Sequence, residues 1–115
     1  MPAAPSAPRL LVIDDDPGVL PIVDRFARQL GFDVQYFGSG RDALSRLSDL
    51  HPHVALVDLQ MPELSGIDVL RAMRADVPDC EVILMTGNAS VDTAIEAVKA
   101  GALDYLSKPF DFDRL

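Results

Sequence analysis

The feature that most constrains this chain is a pattern that repeats five times. A short strand-like run is followed each time by a stretch that reads as a helix or the start of one. The runs are Arg9 to Ile13, Asp33 to Phe37, Val54 to Asp58, Glu81 to Met85 and Leu103 to Leu106. Val54-Ala55-Leu56-Val57 is too apolar for a strand with one wet face, so it reads as a strand buried on both sides. Strands that alternate with helices imply a parallel sheet covered on both faces. Right-handed crossovers leave few topologies. The expected fold is therefore α/β and doubly wound, a flavodoxin-like five-stranded parallel sheet of order 2-1-3-4-5.

The helix signals are local. Pro17-Gly18 opens the first helix, in which Leu20, Val23, Phe26 or Ala27, and Leu30 recur at helical spacing, with Gly31 as its stop. Pro21 is awkward there and predicts a weakened or bent first turn. Ser39-Gly40-Arg41-Asp42 starts the second helix, Ala43, Leu44 and Leu47 form its inward stripe, and His51-Pro52 breaks it. Ser65-Gly66-Ile67-Asp68 starts the third, continued inward by Leu70 and by Met73 or Arg74. Ser90 caps a fourth helix running through Ala100, with Ala94, Ile95 and Val98 inward and Gly101 as its stop. Asp111 to Leu115 reads as the start of a last helix that is cut off. Residues 1–8 read as a flexible, proline- and alanine-rich leader, and 9–115 as one domain.

Composition excludes several classes. The 115 residues are 49% hydrophobic, too apolar for disorder, yet no run approaches the roughly 20 residues that span a bilayer. Cys80 is the only cysteine, so no internal disulfide can form, which suits a reducing cytoplasm. A net charge of -8 argues against a nucleic-acid-binding surface. It suits a chain that gathers carboxylates around a divalent cation.

In the expected order, strands 1, 3, 4 and 5 are neighbours, and their carboxyl ends share one edge. That edge is where open parallel sheets bind ligands. It collects Asp14 with Asp15, then Asp58, Thr86 and Lys108. Three carboxylates together repel unless a cation sits among them. Magnesium takes few carboxylates and also binds phosphate oxygens, which makes it the expected ion. Lys108 would offer a compact charge, and Thr86 a hydroxyl, to a phosphoryl group on Asp58. Asp16 on its own reads as a helix cap.

The motifs Leu11-Val12-Ile13-Asp14-Asp15-Asp16-Pro17, Asp58-Leu59-Gln60-Met61-Pro62 with Gly66, Met85-Thr86-Gly87 and Lys108-Pro109-Phe110 closely resemble the receiver domain of two-component response regulators. They occur in order, with spacings of 43, 28 and 22 between Asp15, Asp58, Thr86 and Lys108. The resemblance covers the chain from Arg9 onward. It implies that Asp58 is the phosphorylated residue, that Asp15 ligates magnesium directly, and that Asp14 acts largely through water. It implies a backbone carbonyl ligand from Gln60, a switch pair in Thr86 and Tyr105, and a phosphate-facing Lys108 whose bond to Pro109 is cis. Gln60 and Asn88 would tune dephosphorylation. The stretch Thr86 to Leu106 is most similar to receivers of nitrogen-regulator-like transcriptional activators. The implied partners are a sensor histidine kinase or phosphotransfer protein and an output domain beyond Leu115. A homodimer is compatible with the resemblance, and neither nucleic acid nor membrane is expected as a partner of this domain. Phosphorylation would bias the face made by helix 4, strand 5 and helix 5. Such a domain is not classed as an enzyme, although it catalyses its own phosphorylation and dephosphorylation.

Two rival readings stand beside this one. Asp14 to Val19 also resembles the aspartate-x-aspartate signature of haloacid-dehalogenase-type phosphatases. Asp14 would then be the nucleophile and Asp16 the acid, but Asp58 would have no role. The same fold could also serve as an interaction module that needs no phosphorylation.

Overall fold

The computed structural model describes residues 8–59, 61, 64–87 and 91–107, except the side chains of 48, 91–94 and 105–107. The elements alternate without exception: β1 (Arg9–Ile13), α1 (Val19–Gln29), β2 (Asp33–Phe37), α2 (Gly40–Leu50), β3 (Val54–Asp58), α3 (Gly66–Asp76), β4 (Glu81–Thr86), α4 (Val91–Lys99) and β5 (Asp104–Ser107). The sheet is parallel throughout, in the order β2-β1-β3-β4-β5. This is the expected topology. The last helix, the Lys108–Pro109 bond, the Ser90 cap and all of the leader except Pro8 lie outside the described residues.

Strand periodicity sorts the core into two layers. Leu10, Val12 and Leu56 point to the side carrying Val19, Val23 and Ala27 of α1. Leu11, Ile13, Ala55, Val57, Val82 and Leu84 point to the opposite side, against α2, α3 and α4. Four of the five residues of β3 are buried, as a strand covered on both faces requires.

The helix ends follow their chemistry. Gly31 and Gly101 have φ values of 89° and 99°, which L side chains rarely adopt. Each forms the same paired closure. Gly31 N–H donates to Arg28 and Phe32 N–H to Ala27, while Gly101 N–H donates to Val98 and Ala102 N–H to Ala97. Ser39 caps α2 by accepting from Asp42 N–H. Ser65 and Asp68 form a reciprocal capping box at α3.

Two helices depart from expectation. α1 starts at Val19, not near Pro17, because Asp14 to Gly18 form a turn of their own. Pro21 therefore falls in the first turn, where its missing donor has no intrahelical acceptor to lose, and no weakening is needed. Among the described side chains of α4, Ala97 is buried, while Ile95 is 48% and Val98 70% exposed; the Ala94 side chain lies outside the described residues. Ala97 lets the helix lie close to the sheet. At about 100° per residue, Val98 and Ile95 are then carried about 100° and 160° away from that contact line.

Candidate functional site

Strand register builds the site. Ile13 pairs with Val57, Asp58 with Met85, and Thr86 with Ser107. The residues that end β3 and β4, and the one just past β1, therefore meet at a single edge. Asp14 follows β1 directly, and its N–H donates to Phe37 C=O at 3.1 Å, extending the β1–β2 ladder. Its side chain is fully buried. One carboxylate oxygen, Oδ1, accepts Asp16 N–H at 2.9 Å. Asp15 projects outward and is exposed. Asp16 Oδ1 accepts Gly18 N–H at 2.9 Å, and its C=O accepts Val19 N–H, so Asp16 shapes the entry to α1. Asp16 is thus a turn-former just before α1 and not the helix cap the sequence suggests, since the N-cap is Gly18 and carries no side-chain cap.

Asp58 ends β3 and is 5% exposed. Leu59 N–H donates to Met85 C=O at 2.8 Å, and Gly66 N–H donates to Leu59 C=O at 2.9 Å, so the loop returns at once to the strand end. A Cβ on Gly66 would lie 2.6 Å from the Asp58 carbonyl oxygen and 2.7 Å from Leu59 Cα. Only glycine lets α3 start so close to the Asp58 backbone. Thr86 closes β4 and is fully buried.

One carboxylate oxygen from each of Asp14, Asp15 and Asp58 lies within 4.8 Å of the others. Oxygens on opposite sides of a magnesium ion stand roughly 4 Å apart, and calcium allows slightly more. The donor set, all hard carboxylate oxygen, suits either ion, and the spacing fits one cation. An apolar groove of about 550 Å³ lies elsewhere, between α1 and the sheet, and contains none of these carboxylates.

Tyr36 on β2 is a contributor that sequence reasoning read only as a strand residue. Its hydroxyl donates to the Asp14 carbonyl oxygen at 2.7 Å. Burial raises its phenol pKa above the usual value, and the negative charges of Asp14, Asp16 and Asp15 add to the effect. The only signal in the sequence was its place one residue before the end of a strand parallel to β1.

The family model for the response regulator receiver domain matches residues 10–115. The chain belongs to the response regulator receiver domain family. It is 43% identical over 107 residues to the regulatory protein AtoC of Escherichia coli K12, covering 93% of this chain and 23% of AtoC. It is also 43% identical over 106 residues to the transcriptional regulatory protein ZraR of Salmonella typhimurium, covering 92% of this chain and 24% of ZraR. The receiver thus spans about a quarter of the length of these curated relatives. Both belong to the nitrogen-regulator-like activators that the Thr86 to Leu106 stretch resembles. Among solved structures, a Burkholderia pseudomallei response regulator with a phosphorylated aspartic acid, a calcium ion and citrate superimposes with a TM-score of 0.86 at 30% identity, covering 93% of this chain and 63% of that one.

A receiver is a phosphoacceptor and, by convention, not an independent enzyme. Family membership sets aside the dehalogenase-type phosphatase. Of the expected site residues, the structure brings Asp14, Asp15, Asp58 and Thr86 to one edge. Tyr105 lies on β5 opposite Leu84, with its side chain outside the described residues. Gln60, Asn88 and Lys108 lie outside them as well. No described helix is long and apolar enough to cross a membrane.

Proposed function

We propose that Asp58 accepts a phosphoryl group from the phosphohistidine of a cytoplasmic sensor kinase or phosphotransfer protein, and that its arrival is reported to an output domain elsewhere in a longer regulator. The observation that carries this is the convergence of Asp14, Asp15 and Asp58 at the end of β3, with one oxygen of each within 4.8 Å of the others. Asp14 and Asp15, with Asp58 itself and the Gln60 carbonyl, would hold magnesium. When bound, that ion neutralises the carboxylates and stabilises charge on the phosphoryl oxygens in transfer.

The reaction asks little else of the chain. A carboxylate oxygen of Asp58 forms the new O–P bond as the donor N–P bond breaks, and the imidazole leaves. Asp58 is held at the end of a rigid strand, so its attack geometry is set before the donor docks. Lys108 and the Thr86 hydroxyl would meet the phosphoryl oxygens, and Gln60 and Asn88 would control the approach of the water that later hydrolyses the acyl phosphate. The modification adds roughly -1.5 to -2 in charge. Thr86, turning toward it, would bias Tyr105 and the α4–β5 face between two packings. Ile95 and Val98 place apolar surface on that face for the output domain to read.

The test is incubation with acetyl phosphate and magnesium, followed by intact mass. Gain of one phosphoryl group, lost in Asp58→Asn and in the absence of magnesium, supports the assignment. A gain that depends instead on Asp14 as the modified residue would point to the phosphatase chemistry. No gain in the folded wild-type chain would leave a phosphorylation-independent module.

A further inference from the structure

Asp15 carries the most exposed of the three clustered carboxylates, and its position depends on the two peptides that flank it. The structure ties down both. The peptide after Asp15 donates its N–H, that of Asp16, to Asp14 Oδ1 at 2.9 Å. The peptide before it, joining Asp14 to Asp15, has its carbonyl oxygen held by the Tyr36 hydroxyl at 2.7 Å. The preceding N–H, that of Asp14, is fixed by Phe37 C=O. The phenol reaching across from the neighbouring strand thus bears directly on the plane linking the two acidic residues.

We infer that Tyr36 is a positioning residue for the cation site, holding the Asp14–Asp15 peptide so that both carboxylates face Asp58 at the spacing a small divalent ion requires. The inference rests on the reading of Asp14, Asp15 and Asp58 as cation ligands. The Tyr36 ring is half-buried and packs against the α1-side core cluster, so its hydroxyl starts from a fixed platform. Without that hydroxyl the carbonyl oxygen can turn to water, and the peptide regains a rotation that moves Asp15 relative to Asp14. Magnesium, which demands near-ideal octahedral geometry at short distances, is sensitive to such a shift. Calcium, with six to eight ligands at longer and more variable distances, tolerates it.

The experiment is calorimetric titration of magnesium and of calcium into the wild-type chain and into Tyr36→Phe, with thermal unfolding of both in a chelator. Phenylalanine keeps the ring packing and removes only the donor. A single neutral hydrogen bond is worth enough to shift an equilibrium about 2- to 10-fold. The expected result is a magnesium affinity weakened about 2- to 10-fold, with calcium weakened by a smaller factor. Magnesium affinity equal to wild type overturns the inference. So does equal weakening for both ions in step with a lower melting temperature, which marks a packing role alone. Should the wild-type chain take up neither ion, the cation reading itself fails, and that outcome is visible before any variant is made.

Discussion

Gly66→Ala separates the placement of Asp58 from the stability of the fold. The new methyl carbon would sit 2.6 Å from the Asp58 carbonyl oxygen, 2.7 Å from Leu59 Cα and 3.0 Å from the Asp58 carbonyl carbon. All three are backbone atoms, so no side chain can rotate away. Moving from 2.6 Å to an ordinary contact of 3.4 Å requires the start of α3 and the end of β3 to part by about 0.8 Å. Overpacking of this kind costs about 1–3 kcal/mol. Alanine returns up to about 1 kcal/mol through its better helix propensity. The net loss is about 0–3 kcal/mol, or at most about 12 °C in melting temperature for a domain of this size. Function is hit harder. A displacement near 1 Å at a reacting group costs about 100-fold in rate. The phosphorylation rate with acetyl phosphate and saturating magnesium should therefore fall about 10- to 100-fold while the variant still melts cooperatively. A folded Gly66→Ala chain that is phosphorylated at the wild-type rate would refute this account of how α3 positions Asp58.

Other consequences follow from particular residues. Ser65→Ala removes one half of the α3 capping box and should cost about 1 kcal/mol, read as a lower chemical-denaturation midpoint with an unchanged slope. Val98→Ser, on the exposed side of α4, should stay within about 0.5 kcal/mol of wild type, whereas Ala97→Leu, fully buried, should lose about 1–3 kcal/mol; equal effects would mean α4 is rotated from its observed setting. Burial, reinforced by Glu81, pushes the Cys80 thiol up to about 11, so alkylation at pH 8 should be slow until the chain unfolds. The folded state holds that proton more tightly than the unfolded one. The stability it confers is complete below the unfolded value near 9 and is lost as pH rises toward about 11, which a denaturation series across that range in wild type and Cys80→Ala would reveal.

The fold was legible because period-2 and period-3.6 patterns alternate cleanly and the helix ends carry their own chemistry. Gly31, Gly101, Ser39 and Ser65 all act as their types predict. What escaped was the phase of a helix against its sheet. Ile95 and Val98 are the larger apolar residues of α4, and size argues for burial, but close approach to the sheet selects the smaller Ala97. In α1, where the sequence leaves Phe26 or Ala27 open, the same logic buries Ala27 and leaves Phe26 39% exposed. A reading of hydrophobicity alone cannot know how near the helix axis must come. Pro21 is settled by a different feature: the Asp14–Gly18 turn takes up the residues that a sequence pattern assigns to the first helical turn, so Pro21 lies within that turn of α1.

The acidic site was legible for a reason the register makes explicit. In a parallel sheet, adjacent strands point the same way, so a residue that ends one strand lies beside the residue that ends the next. Asp14, Asp58 and Thr86 could therefore be placed together from chain order alone, and the pairings Ile13 with Val57 and Asp58 with Met85 realise that placement. Tyr36 and Gly66 act by a different physics. Tyr36 matters through the reach of a hydroxyl across to the next strand, and Gly66 through a space too small for a methyl group. The motif marks Gly66 as a position, but neither the hydroxyl's reach nor the tightness of that space can be read from a spacing. Both arise only once the backbone is in place, yet both bear on how well the legible carboxylates are aimed. The chemistry of this edge is thus written in residues that announce themselves, as is Gly66 in its motif, while the Tyr36 contact on which its geometry also depends is not.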